Sequence, residues 1–156
     1  MKLIEKLNNT KTFISGNLSL SGTCAIVGNS GKLLDSDNGV LIDSHDIIVR
    51  FNGAKTNGYL QHCGAKTTIR IMNCHYILNM ENENYFKHQK SRFPAMERDF
   101  LLQLRNETII FKTNPSWELW NRNEVLKQID KTNKVLFFSD EFYNLAKQIN
   151  DNKEAS

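Results

Sequence analysis

Two asparagines, a serine and a pair of glycines are the residues whose types and spacing could do chemistry in this chain. Cys24-Ala25-Ile26-Val27 is a short apolar run that breaks abruptly into Gly28-Asn29-Ser30-Gly31. A buried strand ending in such a loop is where α/β sheets bind ligands. Glycine at positions 28 and 31 can take positive φ and let a phosphate approach the backbone. The Asn29 amide, the Ser30 hydroxyl and nearby N–H groups would supply donors without a cationic side chain. The chain has neither a Walker lysine motif nor G-x-G-x-x-G spacing, so on this tetrapeptide alone an ordinary tight turn is the simpler reading. The next segments shift the balance. The apolar run Ile47-Ile48-Val49-Arg50-Phe51 ends at Asn52-Gly53 and delivers a second asparagine to a loop. A third run, Gly64 to Asn73, alternates polar and apolar residues from Thr68 onward and again closes on a polar residue. Three strands that each end in polar residues predict one shared crevice.

The elements that must position these residues follow from periodicity. Strands are expected near Thr23 to Val27, Ile47 to Phe51, Thr67 to Met72, Thr108 to Lys112 and Lys134 to Phe138. Apolar residues at helical spacing recur at Met96, Phe100, Leu101 and Leu104, and at Trp117, Trp120, Val125 and Ile129, with Leu145 and Ile149 continuing a last helix. Strands alternating with helices predict an α/β fold with a mostly parallel sheet and its ligand at the carboxyl edge. Residues Asn79 to Arg92 read as a polar loop or an exposed helix, and no internal repeat or low-complexity tract is present. The expected organisation is an N-terminal extension over 1–22, a ligand-binding α/β domain over 23–150 and a tail over 151–156.

The span "CAIVGNSGKLLDSDNGVLIDSHDIIVRFNGAKTNGYLQHCGAKTTIRIMN", residues 24–73, closely resembles the large sialyl motif of the eukaryotic-type sialyltransferases, glycosyltransferase family 29. The residues that carry the resemblance are Cys24, the Gly28-to-Gly31 loop, Ile42-Asp43-Ser44-His45-Asp46, Arg50-Phe51-Asn52-Gly53-Ala54, and Gly64 followed by Lys66-Thr67-Thr68. The resemblance implies an inverting transfer of sialic acid from CMP-sialic acid to a glycan hydroxyl, on a metal-independent, Rossmann-like variant of the GT-A fold. Asn29 and Asn52 match the family asparagines that hydrogen-bond the phosphate and ribose region of CMP, with Ser30 and Gly31 beside them. These four are the expected donor-binding residues. Oriented neutral donors in a dry loop can stabilise the charge that grows on the phosphate as CMP leaves. Asp43, Asp46 and Arg50 also match the motif, and a buried or capping role is expected for them; His45 is expected to be structural. No cofactor and no metal is expected.

Two family features do not occur in this sequence. One is the small sialyl motif around a Pro-Ser-(Ser/Thr)-Gly turn; the other is the His-x-x-x-Glu whose histidine serves as general base. Four residues beyond His45, His62, His75 and His88 stand Val49, Lys66, Asn79 and Arg92. The catalytic residues are therefore unassigned, and the expectation is a sialyltransferase or, alternatively, a truncated, non-catalytic CMP-binding remnant, its fold then incomplete. The cysteine matching Cys24 pairs, in the family, with one in the small motif. Three cysteines, Cys24, Cys63 and Cys74, cannot all pair internally, which fits a reduced compartment as well as a secreted one. Asn8, Asn17 and Asn106 open N-x-Ser/Thr triplets that do not settle the matter.

With 156 residues, 40% of them hydrophobic, and a formal net charge of +3, one globular domain with a moderate core is expected. That balance does not call for nucleic acid. The longest apolar runs, such as Ile47 to Val49 and Val135 to Phe138, fall far below the ~20 residues of a membrane helix. Residues 1–16 are polar and lysine-bearing, without the apolar centre of a signal peptide or anchor. Family resemblance implies the Golgi for a eukaryotic protein, and the absence of an anchor the cytoplasm otherwise. Trp117, Trp120 and Phe142 are expected in the core rather than on a sugar platform.

Overall fold

The computed structural model describes residues 18–73, 100–112 and 124–138, together with 142, 144, 147 and 148. Five strands form one sheet: β1 (Cys24–Val27), β2 (Ile47–Phe51), β3 (Ile69–Asn73), β4 (Thr108–Lys112) and β5 (Lys134–Phe137). All four pairings are parallel and the spatial order is β1-β2-β3-β4-β5. The expected α/β class with a parallel sheet is what forms. Between the strands lie a 3₁₀ turn (Gly31–Asp35), α1 (Gly39–Asp43), α2 (Leu60–Cys63), α3 (Phe100–Gln103) and α4 (Glu124–Asp130).

Parallel neighbours demand crossovers, and right-handed crossovers in a sheet that grows always in one direction place every connection on one face. The core obeys this. On the helix-bearing face, Val27, Ile48 and Cys63 pack with Ala25, Leu33 and Ile42. Further along that face, Met72, Ile109 and Phe111 meet Leu101, Leu104 and Ile129. On the other face Ile47, Ile69, Ile110 and Leu136 form a separate apolar layer with Leu18, Val49, Ile71 and Phe138. The central strands are therefore apolar on both sides, which is why they read as nearly continuous hydrophobic runs. Among the described residues β1 is an edge strand, and Ile26 on it is 72% exposed.

Strand positions agree with the sequence reading to within two residues. The start of β3 moves from Thr67 to Ile69 because the two threonines serve as anchors: Thr68 Oγ1 accepts from Ile48 N–H at 3.0 Å and Thr67 Oγ1 from Arg50 Nε at 3.1 Å. Of the two anticipated longer helices, Phe100–Gln103 and Glu124–Asp130 fall in the described residues. The segments around Asn79 to Arg92 and Pro115 to Trp120, with Cys74, His75, His88, Leu145 and Ile149, lie outside them. Phe142, expected in the core, stacks on Phe138 with centroids 4.3 Å apart. No described helix is long and apolar enough to cross a membrane.

Candidate functional site

A cavity of about 390 Å³ opens at the carboxyl ends of β1 and β2, lined from one side by Gly28 to Gly31 with Leu33 and Leu34. Its remaining wall comes from Arg50, Gly53, Ala54, Lys55, Tyr59 and Cys63. Three of the four sequence-predicted site residues, Asn29, Ser30 and Gly31, are thus in the lining. Asn52 is not, although its chain neighbours Phe51 and Gly53 adjoin the site: Asn29 Nδ2 donates to the Phe51 carbonyl at 3.0 Å, tying the first loop to the second.

Asn52 is fixed by three hydrogen bonds. Its N–H donates to the Ile71 carbonyl at 2.8 Å, its own carbonyl accepts from Arg70 Nη1 at 2.9 Å, and its side-chain Oδ1 accepts from Asn73 N–H at 2.9 Å. The backbone stands at φ 51°, a left-handed conformation that asparagine tolerates better than most residues. Because Oδ1 takes the Asn73 N–H, the two ends of the amide are told apart, and among the described residues no acceptor takes the Nδ2 protons. Asn29 is different: one Nδ2 proton goes to Phe51, leaving one donor and the carbonyl oxygen. Ser30 caps the 3₁₀ turn, its Oγ accepting from Lys32 N–H at 3.3 Å, which leaves the hydroxyl proton to give.

Two expectations about the loop are corrected. Neither Gly28 nor Gly31 adopts positive φ, because the chain turns through the 3₁₀ segment with Ser30 extended at φ −74°, ψ 141°. A Cβ at either glycine would meet no protein atom within 4 Å, so the space beside both is open. Nor is the site free of cations, since Lys55 and Arg50 line it while no Asp or Glu does. Lys55 and Tyr59 escaped the sequence reading because a lone lysine and a lone tyrosine carry no periodic signal; their place three and seven residues after Asn52 was the only clue.

The other motif residues hold the loops. Asp43 accepts from Ala65 N–H at 2.8 Å and Lys66 N–H at 2.9 Å, while Lys66 Nζ returns a bond to the Asp43 carbonyl at 2.7 Å. Gly64 makes this clamp possible, at φ 73° with a hypothetical Cβ only 2.5 Å from Asp43 Oδ1. Asp46 binds Thr23 N–H at 2.7 Å and Thr23 Oγ1 at 2.9 Å, fixing the entry to β1. The Thr23 N–H is the chief reason that the Asp46 carboxyl titrates below its ordinary value, followed by the Thr23 hydroxyl. Arg70 forms a two-pronged ion pair with Glu107, Nε to Oε2 at 2.6 Å and Nη2 to Oε1 at 3.0 Å, and lies over the Phe100 ring. With its remaining nitrogen it grips the Asn52 loop.

His45 Nδ1 lies 2.9 Å from the Leu41 carbonyl, and His62 Nδ1 lies 3.1 Å from both the Ser36 carbonyl and Asp37 Oδ1. Neither histidine lines the cavity. Among the described residues no group of three or more His, Cys, Asp or Glu is placed to hold a metal ion, and Cys24 and Cys63 are free thiols.

The model of glycosyltransferase family 29 (sialyltransferase) matches residues 1–154. The beta-galactoside alpha-2,6-sialyltransferase 2 of Bos taurus is 49% identical over 57 residues, 36% of this chain and 12% of that protein. A beta-1,6-galactosyltransferase of Arabidopsis thaliana is 40% identical over 81 residues, 49% of this chain and 20% of that protein. This chain thus matches a fifth or less of the length of these relatives. A crystal structure of a mammalian sialyltransferase aligns with a TM-score of 0.48 at 19% identity, covering 92% of this chain and 51% of that one.

Proposed function

The chain belongs to glycosyltransferase family 29, the sialyltransferases, and from that premise we propose that its cavity binds the CMP moiety of CMP-sialic acid for inverting transfer to a glycan hydroxyl. The observation that carries this reading is the fixed Asn52 carboxamide. Its Oδ1 is engaged by Asn73 N–H and no described residue takes its Nδ2 protons, so, one residue before Gly53 of the lining, it is able to donate to an oxyanion. Asn29, with one donor and one acceptor remaining, suits a ribose hydroxyl, which both gives and takes a hydrogen bond. The Ser30 hydroxyl adds a donor, and open space beside Gly31 admits a phosphate close to the backbone. Leu33, Leu34 and the 45%-exposed Tyr59 offer an apolar wall for the base.

A second reading, a polypeptide that binds CMP without transferring sugar, is favoured by the lack of a His-x-x-x-Glu in the sequence and by the two described histidines standing outside the cavity. Calorimetric titration with CMP, with UMP and AMP as controls, followed by an assay with CMP-sialic acid and a mixture of galactose-terminated acceptors, tests both. Selective CMP binding with transfer supports the enzyme; selective binding without transfer supports the second reading. No CMP binding by the folded chain refutes the nucleotide site itself.

A further inference from the structure

Two arginines stand side by side on the central strands, Arg50 on β2 in register with Arg70 on β3, and both are almost wholly buried. A buried guanidinium without a carboxylate partner is costly, because its charge has lost water and gained only dipoles. Arg70 meets that cost in the ordinary way, through Glu107. Arg50 does not. Its Nε donates to the Lys66 carbonyl at 3.0 Å and to Thr67 Oγ1 at 3.1 Å, and its Nη2 donates to the carbonyls of Cys63 and Lys66, both at 2.8 Å. Every one of these partners is neutral. The third nitrogen, Nη1, has no hydrogen-bond partner among the described residues, although the residue is 1% exposed. Desolvation, the largest influence on Arg50, works against its charged form; Cys63 and, more weakly, the more distant Asp43 and Glu107 favour it, while its neighbour Arg70 adds repulsion. The residue nevertheless lines the cavity at the ends of β1 and β2.

We propose that Arg50 is a buried positive charge that tunes this cavity to a phosphate-bearing nucleotide, so that the ligand's phosphate supplies the counter-charge that the protein withholds. The proposal rests on reading the cavity as a nucleotide site and names the device by which that site tells a nucleotide from a nucleoside. Arg50 acts as a positioning residue through its field. In a water-poor interior a unit charge reaches a second one several ångströms away with far greater effect than in solvent. Asn29, Ser30 and Asn52 provide direction, and Arg50 provides the charge that neutral donors lack. A surface cation could also raise affinity for anions, and Lys55 is such a group in the same lining. The two differ in their response to salt, because buried charges are screened much less than exposed ones.

The test is the ratio of affinities for CMP and cytidine, which share base and ribose and differ in the phosphate. In the wild-type chain the ratio is expected to be at least about tenfold and to change less than about threefold between roughly 0.05 and 1 M sodium chloride. Arg50→Met, which fills the buried volume, should lower the ratio about tenfold while leaving cytidine affinity in place; Arg50→Lys, which keeps the charge, should restore most of it. A merely structural role would weaken both ligands together. A wild-type ratio that collapses towards one in high salt would overturn the proposal in favour of a surface cation, whether or not the variants fold. So would a folded Arg50→Met chain that keeps the wild-type ratio. Failure of the wild-type chain to bind either ligand would instead refute the nucleotide reading, and this inference with it.

Discussion

Replacing Asn52 by aspartate separates what this residue does for the fold from what it does for a ligand. Alanine would not: it removes the Oδ1 acceptor from Asn73 N–H and places a residue less suited to φ 51° in a left-handed position, so it destabilises by about 1–3 kcal/mol for the orphaned donor and about 1 kcal/mol for the backbone. Aspartate keeps an oxygen in the Oδ1 position, tolerates the left-handed backbone, and turns the two outward protons of Nδ2 into an acceptor that carries charge. Losing one hydrogen bond to a charged phosphate costs roughly 1.5–3 kcal/mol. Two like charges about 4 Å apart at an effective dielectric constant near 20 add up to about 4 kcal/mol, an upper figure that water at the cavity mouth reduces. Even with the electrostatic part cut to a quarter, CMP affinity should fall by about 100-fold, since each 1.4 kcal/mol is a factor of ten. Urea unfolding of Asn52→Asp should stay within about 1 kcal/mol of wild type. Calorimetry with CMP on both proteins, beside those unfolding curves, is the assay. Near wild-type CMP affinity in a folded Asn52→Asp chain would show that Nδ2 does not face the phosphate and would remove the observation on which the functional reading stands.

Glycines 31 and 64 should behave in opposite ways. Gly31→Ala faces open space and should change stability by less than about 0.5 kcal/mol while weakening CMP binding by about 1 kcal/mol or more, read by unfolding and titration together. Gly64→Ala meets Asp43 at φ 73° and should destabilise by about 3 kcal/mol in urea unfolding. Asn29→Ala should weaken CMP binding by about 1–3 kcal/mol, and unchanged affinity would remove Asn29 from the site. For Asp46 the folded carboxyl titrates below its ordinary value of 3.8, so the stabilisation is present above the unfolded value and lost as pH falls through the folded one. The difference in urea midpoint between wild type and Asp46→Asn should therefore be measurable at about pH 7 and vanish near pH 2; a difference that persists in acid would show that charge is not what binds Thr23.

The parallel sheet was legible because its strands are buried on both faces, so Ile47 to Val49 and Ile109 to Phe111 stand out as unbroken apolar runs bounded by polar residues. The loop at Gly28 to Gly31 was legible because the apolar run stops there at once. The short helices Gly39–Asp43 and Leu60–Cys63 were not, since four or five residues contain too little of a helical period to register. The conformation of Gly28 and Gly31 was misread for a related reason. Glycine permits positive φ but does not impose it, and the Ser30 cap lets the chain turn without it. The Arg50 environment was hidden more deeply: nothing in Ile-Ile-Val-Arg-Phe distinguishes a paired from an unpaired buried arginine, and Glu107, which makes the difference for Arg70, lies 37 residues along the chain from it.

The Asp43 and Asp46 carboxylates show why a site built from neutral donors needs so long a stretch of sequence. Neutral amides attract an anion only when their dipoles already point at it, because a donor that must reorient loses in entropy what it gains in contact. Each loop is accordingly tied down by charge placed away from the cavity lining. Asp46 holds the entry of β1 through Thr23, Asp43 holds the Gly64 turn through Ala65 and Lys66, and Arg70 with Glu107 holds the carbonyl of Asn52. Asp43 and Glu107 have both carboxylate oxygens, and Asp46 one, occupied by protein N–H or O–H groups, and none of the three lines the cavity. Negative charge is thereby kept on the framework and off the wall, and Arg50, which among the described residues is the buried charge with no carboxylate hydrogen-bonded to it, stands in the wall. Moving any of those carboxylates into the lining would place it where the phosphate is proposed to sit. Lys55→Glu does so at a residue already in the lining: the ratio of CMP to cytidine affinity should fall, and an unchanged ratio would show that the phosphate does not enter this cavity.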